Sequence, residues 1–115
     1  MYLEAVPGAI LSRAKSISNS GAVELAMQKN ARIEYDAIAQ TPYFIFYERE
    51  NGNPVEHIVY FEDANSIKAK LDLVYELGFK GIGIWNIMKY FPQLWLVTNS
   101  MFNIVKGYNI TGSCN

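Results

Sequence analysis

Between Asp63 and Trp85 the hydrophobic pattern changes period, and this change restricts the fold more than any other feature. Ile67, Leu71, Val74 and Leu77 follow at steps of four, three and three, which aligns them in one stripe along a helix. Lys68, Lys70, Asp72 and Glu76 supply polar positions around that stripe. Asp63 stands where an N-cap belongs and Gly78 where a helix stops. Directly afterwards, Gly81-Ile82-Gly83-Ile84-Trp85 is apolar on both faces, the pattern of a strand in a parallel sheet covered by helices. With the run from Val59 ahead of the helix, residues Val59 to Trp85 are predicted to form a βαβ unit.

Upstream the signals are antiparallel. Tyr43 to Tyr47 is a continuous aromatic and aliphatic run that favours a strand, and His57 to Phe61 is a second one. Asn51-Gly52-Asn53 lies between them, with residues that tolerate the positive φ of a tight turn, so the two runs form a hairpin. A shorter helix is predicted over Gly21 to Lys29, capped by Ser18 or Ser20, with Val23, Ala26 and Met27 on its apolar side. Ile33 to Asp36 fits a short strand, and Ala37 to Gln40 fits no one element. Tyr2 to Ser20, with Pro7, Gly8 and several serines, reads as a loose lead-in. Pro92 starts a short helix reaching Thr98, and Phe102 to Val105 is a last apolar segment. Residues 107–115 read as a flexible tail.

Charge and cysteine content exclude several function classes. Ten basic and eleven acidic residues give a net charge of -1, and the basic ones are scattered singly, so a nucleic-acid partner is not expected. The single cysteine, Cys114, rules out an internal disulfide and a cysteine-based metal site. The first ten residues lack the basic and then apolar regions of a signal peptide. No stretch approaches the roughly 18 apolar residues of a membrane span. No cofactor or metal is expected.

Several segments resemble the family-18 glycoside hydrolases. Tyr60-Phe61-Glu62-Asp63-Ala64-Asn65-Ser66-Ile67-Lys68 is similar to the family's seventh strand and helix, and Leu77-Gly78-Phe79-Lys80-Gly81-Ile82-Gly83-Ile84-Trp85 to its eighth strand. Phe91-Pro92-Gln93-Leu94-Trp95-Leu96 and Phe102-Asn103-Ile104-Val105-Lys106 resemble the stretch that closes the barrel. Ser18 to Ala26 and Tyr35 to Phe44 look like the subfamily of spore-cortex and cell-wall glucosaminidases. The segments occur in the family's order and span roughly residues 6–106.

The resemblance implies an α/β chain: the last strand-helix-strand units of a (β/α)₈ TIM barrel, with an α+β insertion hairpin. In this division residues 1–20 are the lead-in, 21–58 the remnant of the insertion and 59–106 the barrel units. It implies hydrolysis of N-acetylglucosamine glycans, chitin-like or peptidoglycan, at an extracytoplasmic site such as cell wall or spore. The family's catalytic acid ends an Asp-x-x-Asp-x-Asp-x-Glu motif, and no acid from Glu4 to Glu76 stands in that spacing. Glu62 and Asp63 are adjacent, and neighbours on a strand face opposite ways. They are not expected to flank one glycosidic bond together, which takes carboxylates about 5–10 Å apart across the sugar. No catalytic residue is therefore expected in this chain.

The candidate substrate-binding residues are Trp85, Glu62, Asp36 and Tyr35. In the resemblance Trp85 forms the floor beneath the sugar, where an indole face suits the C–H side of a pyranose. Glu62, at the end of its strand, could face the cleft, while Asp63 reads as a cap. Asp36 and Tyr35 could hydrogen-bond substrate, or Asp36 could hold backbone N–H groups of a turn. The lone His57 reads as a surface or cross-strand residue, and Trp95 as core. The run Tyr43 to Tyr47 suits either a sugar platform or a hairpin with one face turned inward. Asn109-Ile110-Thr111 fits an N-glycosylation acceptor only on a eukaryotic secretory route. An unpaired barrel edge invites a homo-oligomer, an upstream barrel half as partner, or rearrangement into a compact α+β fold. The functional readings are a carbohydrate-active fragment of such a hydrolase, a non-catalytic glycan-binding module, or a structural or split-enzyme piece with no activity alone.

Overall fold

The computed structural model describes residues 2–5 and 13–104. Their order is β1 (Tyr2–Ala5), β2 (Arg13–Lys15), α1 (Asn19–Gln28), β3 (Glu34–Asp36), β4 (Thr41–Glu50), β5 (Asn53–Tyr60), α2 (Ala64–Glu76) and α3 (Pro92–Met101). The strands form one five-stranded sheet in the order β2-β1-β5-β4-β3, with every neighbouring pair antiparallel.

The centre of the sheet is the hairpin read from the aromatic run. Asn51 and Gly52 turn the chain with φ of 50° and 80°, the left-handed pair that matches strand twist. Strand alternation then sorts the side chains. Phe44, Phe46, Val55, His57 and Val59 are buried, while Tyr43, Ile45, Tyr47, Glu56, Ile58 and Tyr60 occupy the other face. Burying each large apolar side chain contributes about 1.5–3 kcal/mol. The hairpin register pairs Phe46 with His57, whose rings stack at 4.6 Å between centroids. His57 is a cross-strand residue but not a surface one, with only 1% exposed.

Helix α1 closes the buried face. Ser18 caps it, its hydroxyl accepting the Gly21 N–H at 3.1 Å. The side that packs is Ala22 and Ala26, not Val23 and Met27, which are 39% and 77% exposed. Small side chains let the helix approach a sheet whose own phenylalanines fill the space, and Phe44, Phe46, Val59 and Phe61 complete this core.

Helix α2 is built as its pattern predicts. The Asp63 carboxylate accepts the Ser66 N–H at 2.8 Å, and the Ser66 hydroxyl accepts the Asp63 N–H at 2.9 Å, a reciprocal capping box. Leu71 is its buried anchor, and Gly78 ends it at φ 65°. Leu77, expected in the stripe, is the C-cap and 59% exposed.

Three expectations are corrected. The segment from Gly81 to Trp85 is not a strand buried on both faces, and the βαβ unit does not form. Ile82 and Ile84 are 44% and 36% exposed. A strand exists only where a neighbour takes up its backbone N–H and C=O groups, and all sheet pairing among the described residues involves β1 to β5. Second, the lead-in contributes strands, β1 lying along the free edge of β5. Third, Trp95 is 46% exposed on α3, a helix with no buried residue, so it does not fill a core. Helix α3 also runs past Thr98 to Met101, while Phe102 to Ile104 form no regular element. Val105, the glycosylation pattern at Asn109, Cys114 and the tail lie outside the described residues. Within the described residues no helix is long and apolar enough to cross a membrane.

Candidate glycan-contacting cleft

The end of β5, helix α2, the segment after Gly81 and helix α3 surround a cleft of about 430 Å³. Isoleucines and leucines of these elements line its base, with Glu62, Lys70, Trp85, Asn86 and Trp95 as its chemically distinctive residues. The Trp85 ring is 95% exposed beside this cleft, and the Trp85–Asn86 peptide bond is cis.

Glu62 is held from several directions. Its N–H donates to Asn19 Oδ1 at 2.9 Å, tying the end of β5 to the start of α1. The buried Ser66 hydroxyl donates to Glu62 Oε2 at 2.6 Å, and the Lys70 ammonium pairs with Oε1. Charge-assisted bonds of this kind fix a carboxylate's orientation. Asp63, one residue on, spends its carboxylate on the α2 cap. The acidic neighbours thus have different duties, and no second carboxylate stands across the cleft from Glu62 among its lining residues.

Asn86 Oδ1 is buried and has no hydrogen-bond partner among the described residues. A buried acceptor in that condition costs free energy until a donor reaches it. Lys89, also lining the cleft, donates to Ser16 Oγ at 2.9 Å. The cleft therefore offers an open aromatic face and one fixed carboxylate, while the unsatisfied Asn86 amide oxygen is buried. This set can bind a ligand that is apolar on one side and donates hydrogen bonds on the other.

Of the four residues singled out from sequence, Trp85 and Glu62 come together here. Asp36 and Tyr35 lie outside the cleft on β3. The Asp36 carboxylate accepts the N–H groups of Ile38 and Ala39 at 2.9 and 3.0 Å, organising the turn before β4. Tyr35 is 44% exposed. Sequence reading missed Ser66, Lys70 and Asn86. The spacing of Ser66 and Lys70, four and eight residues after Glu62, was a usable signal for the first two, since it puts them on one side of α2 just after Glu62. Asn86 carried none.

Comparison with known proteins places the chain. No family model matches it. It is 44% identical over 93 residues to the cortical fragment-lytic enzyme of Bacillus subtilis (strain 168), a match covering 81% of the chain and 21% of that enzyme. The spore cortex-lytic enzyme SleL of Bacillus cereus superimposes with a TM-score of 0.77 at 39% identity, over 91% of the chain and 24% of SleL. A class V chitinase from Pseudomonas fluorescens Pf-5 does so with a TM-score of 0.56 at 27% identity, over 70% of the chain and 26% of the chitinase. The chain spans about a fifth of the length of the curated relatives it matches.

Proposed function

Because the chain is homologous to the C-terminal part of the family-18 glycoside hydrolases, we propose that it is a carbohydrate-active part of such a hydrolase, contacting N-acetylglucosamine glycans of chitin or peptidoglycan type. It supplies a binding wall and not the proton donor. Trp85 is the platform for the apolar side of the sugar, and Glu62 accepts hydrogen bonds from its hydroxyl and amide groups. The observation that carries this reading is the indole of Trp85, open to solvent beside a cleft with one fixed carboxylate acceptor, in a chain related to cortex-lytic enzymes. Asp36 and Tyr35 become substrate contacts only if the rest of a cleft is built over them.

Cleavage needs an acid to protonate the leaving oxygen. The chain would obtain it from an upstream barrel part, against which residues 81–85 become the strand their composition predicts. The exposed isoleucines there and α3, which has no buried residue, support this pairing, because a partner sheet would bury both. The chain would then form the last units of a (β/α)₈ barrel with its insertion.

Co-expression tests the reading. The chain is produced with the upstream three-quarters of the Bacillus cereus enzyme, and release of soluble fragments from cortex peptidoglycan is measured. Activity that needs both parts and is lost with Trp85→Ala supports the reading. Co-purification without activity, or activity indifferent to Trp85→Ala, contradicts it.

A further inference from the structure

Among the described residues, the sheet has a second face that neither the core nor the cleft uses. Helix α1 covers the side of Phe44 and Phe46. The opposite side carries Tyr43, Ile45 and Tyr47 from β4 against Tyr60, Ile58 and Glu56 from β5, directly paired in the hairpin register. Tyr43 and Tyr60 stack at 5.5 Å between centroids with their planes 28° apart. Ile45 is 39% and Tyr47 64% exposed. None of these residues lines the Trp85 cleft.

The polar edge of this face is ordered. The Tyr43 hydroxyl donates to Glu34 Oε2 at 2.9 Å, and the Tyr47 hydroxyl donates to Glu56 Oε2 at 2.8 Å. Both phenols titrate above their ordinary value, chiefly because of these bonds. Glu34 and Glu56 have no cationic partner among the described residues.

This combination selects its occupant. An apolar protein surface laid here would strip water from two carboxylates and give nothing back. A second copy would set carboxylates against carboxylates, and an anionic polymer would be repelled. A neutral sugar polymer meets both demands: its C–H faces cover the tyrosine rings, and its hydroxyl and amide N–H groups donate to the carboxylates. We infer that the Tyr43–Tyr47 face is a second glycan-binding platform, separate from the Trp85 cleft, for a neutral polymer of N-acetylated amino sugars. The identity of the sugar rests on the function proposed above, but the site itself does not. Two platforms on one chain raise retention on a long polymer through effective concentration.

The test is co-sedimentation of the full chain with insoluble chitin, set beside a tryptophan-fluorescence titration with soluble N-acetylglucosamine oligomers. Tyr47→Ala is expected to weaken chitin retention roughly two- to tenfold and to leave the fluorescence titration unchanged. Tyr47→Phe, which keeps the ring, is expected to lose less. Trp85→Ala is expected to abolish the fluorescence response while part of the chitin retention survives. Wild-type retention in Tyr47→Ala overturns the proposal, as does complete loss of retention in Trp85→Ala. Self-association that disappears in Tyr47→Ala overturns it in favour of a second copy. A silent oligomer titration with Tyr47-dependent chitin retention would refute the cleft and leave this platform standing.

Discussion

Replacing Trp85 with alanine removes an indole that is 95% exposed, so only about one-twentieth of its surface lies against the rest of the chain. A tryptophan presents about 150–250 Å². One-twentieth of that is about 10 Å², and at about 25 cal/mol per Å² the lost burial amounts to about 0.3 kcal/mol. Phe44 is the contrast. It is fully buried and packs against Phe46 and Phe61 at 6.1 and 6.2 Å between centroids, so Phe44→Ala should cost about 3–5 kcal/mol. Urea denaturation followed by far-ultraviolet circular dichroism separates the two without relying on tryptophan emission. Trp85→Ala should unfold at nearly the wild-type midpoint and Phe44→Ala far below it. A cost above about 1.5 kcal/mol for Trp85→Ala would mean that the indole is packed, as a buried strand end would be. The cleft as described here would then be wrong. A small cost makes Trp85→Ala a clean binding control.

Asp63→Ala removes the α2 cap and should cost about 0.5–2 kcal/mol, read from the melting midpoint together with a loss of helical signal. Gly78→Ala forces a side chain into φ 65° and should cost about 1 kcal/mol by the same assay, although nothing crowds the position. The Lys29 ammonium bonded to Glu48 holds that carboxyl below the ordinary value of 4.5. A depressed folded value means stability that is present above the unfolded value and lost as pH falls through the folded one. Glu48→Gln should flatten that loss below about pH 4.5, by under about 1 kcal/mol because the side chain is 38% exposed. Glu56→Gln should bring the Tyr47 phenol back toward its ordinary 10.0, measured by phenolate absorbance; an unchanged titration would mean the hydrogen bond does not persist in solution.

The legible parts of this fold are those specified locally. Asn51-Gly52 fixes its own turn, alternation sorts Phe44 from Tyr43, and Asp63 with Ser66 caps α2 without help from elsewhere. Residues 81–85 failed because a strand is a property of two segments: their composition suits burial, but no described strand lies beside them. Trp95 failed for the same reason, since α3 packs on α2 but none of its residues is buried among the described residues. Strands β1 and β2 were unreadable because strands of four and three residues in a Pro- and Ser-containing stretch carry no periodic signal. At the cleft, the sequence singled out Trp85 and Glu62, which both line it, whereas the buried, unpartnered Oδ1 of Asn86 depends on a chain path that no spacing encodes.

The most direct test of the central claim is a titration of the purified chain with N-acetylglucosamine oligomers, followed by tryptophan fluorescence in wild type and in Trp85→Ala. Saturable change in wild type, absent in the variant, is the predicted result and makes Trp85 the sugar platform. A wild-type signal that stays flat at millimolar sugar, or an equal response in Trp85→Ala, would contradict it.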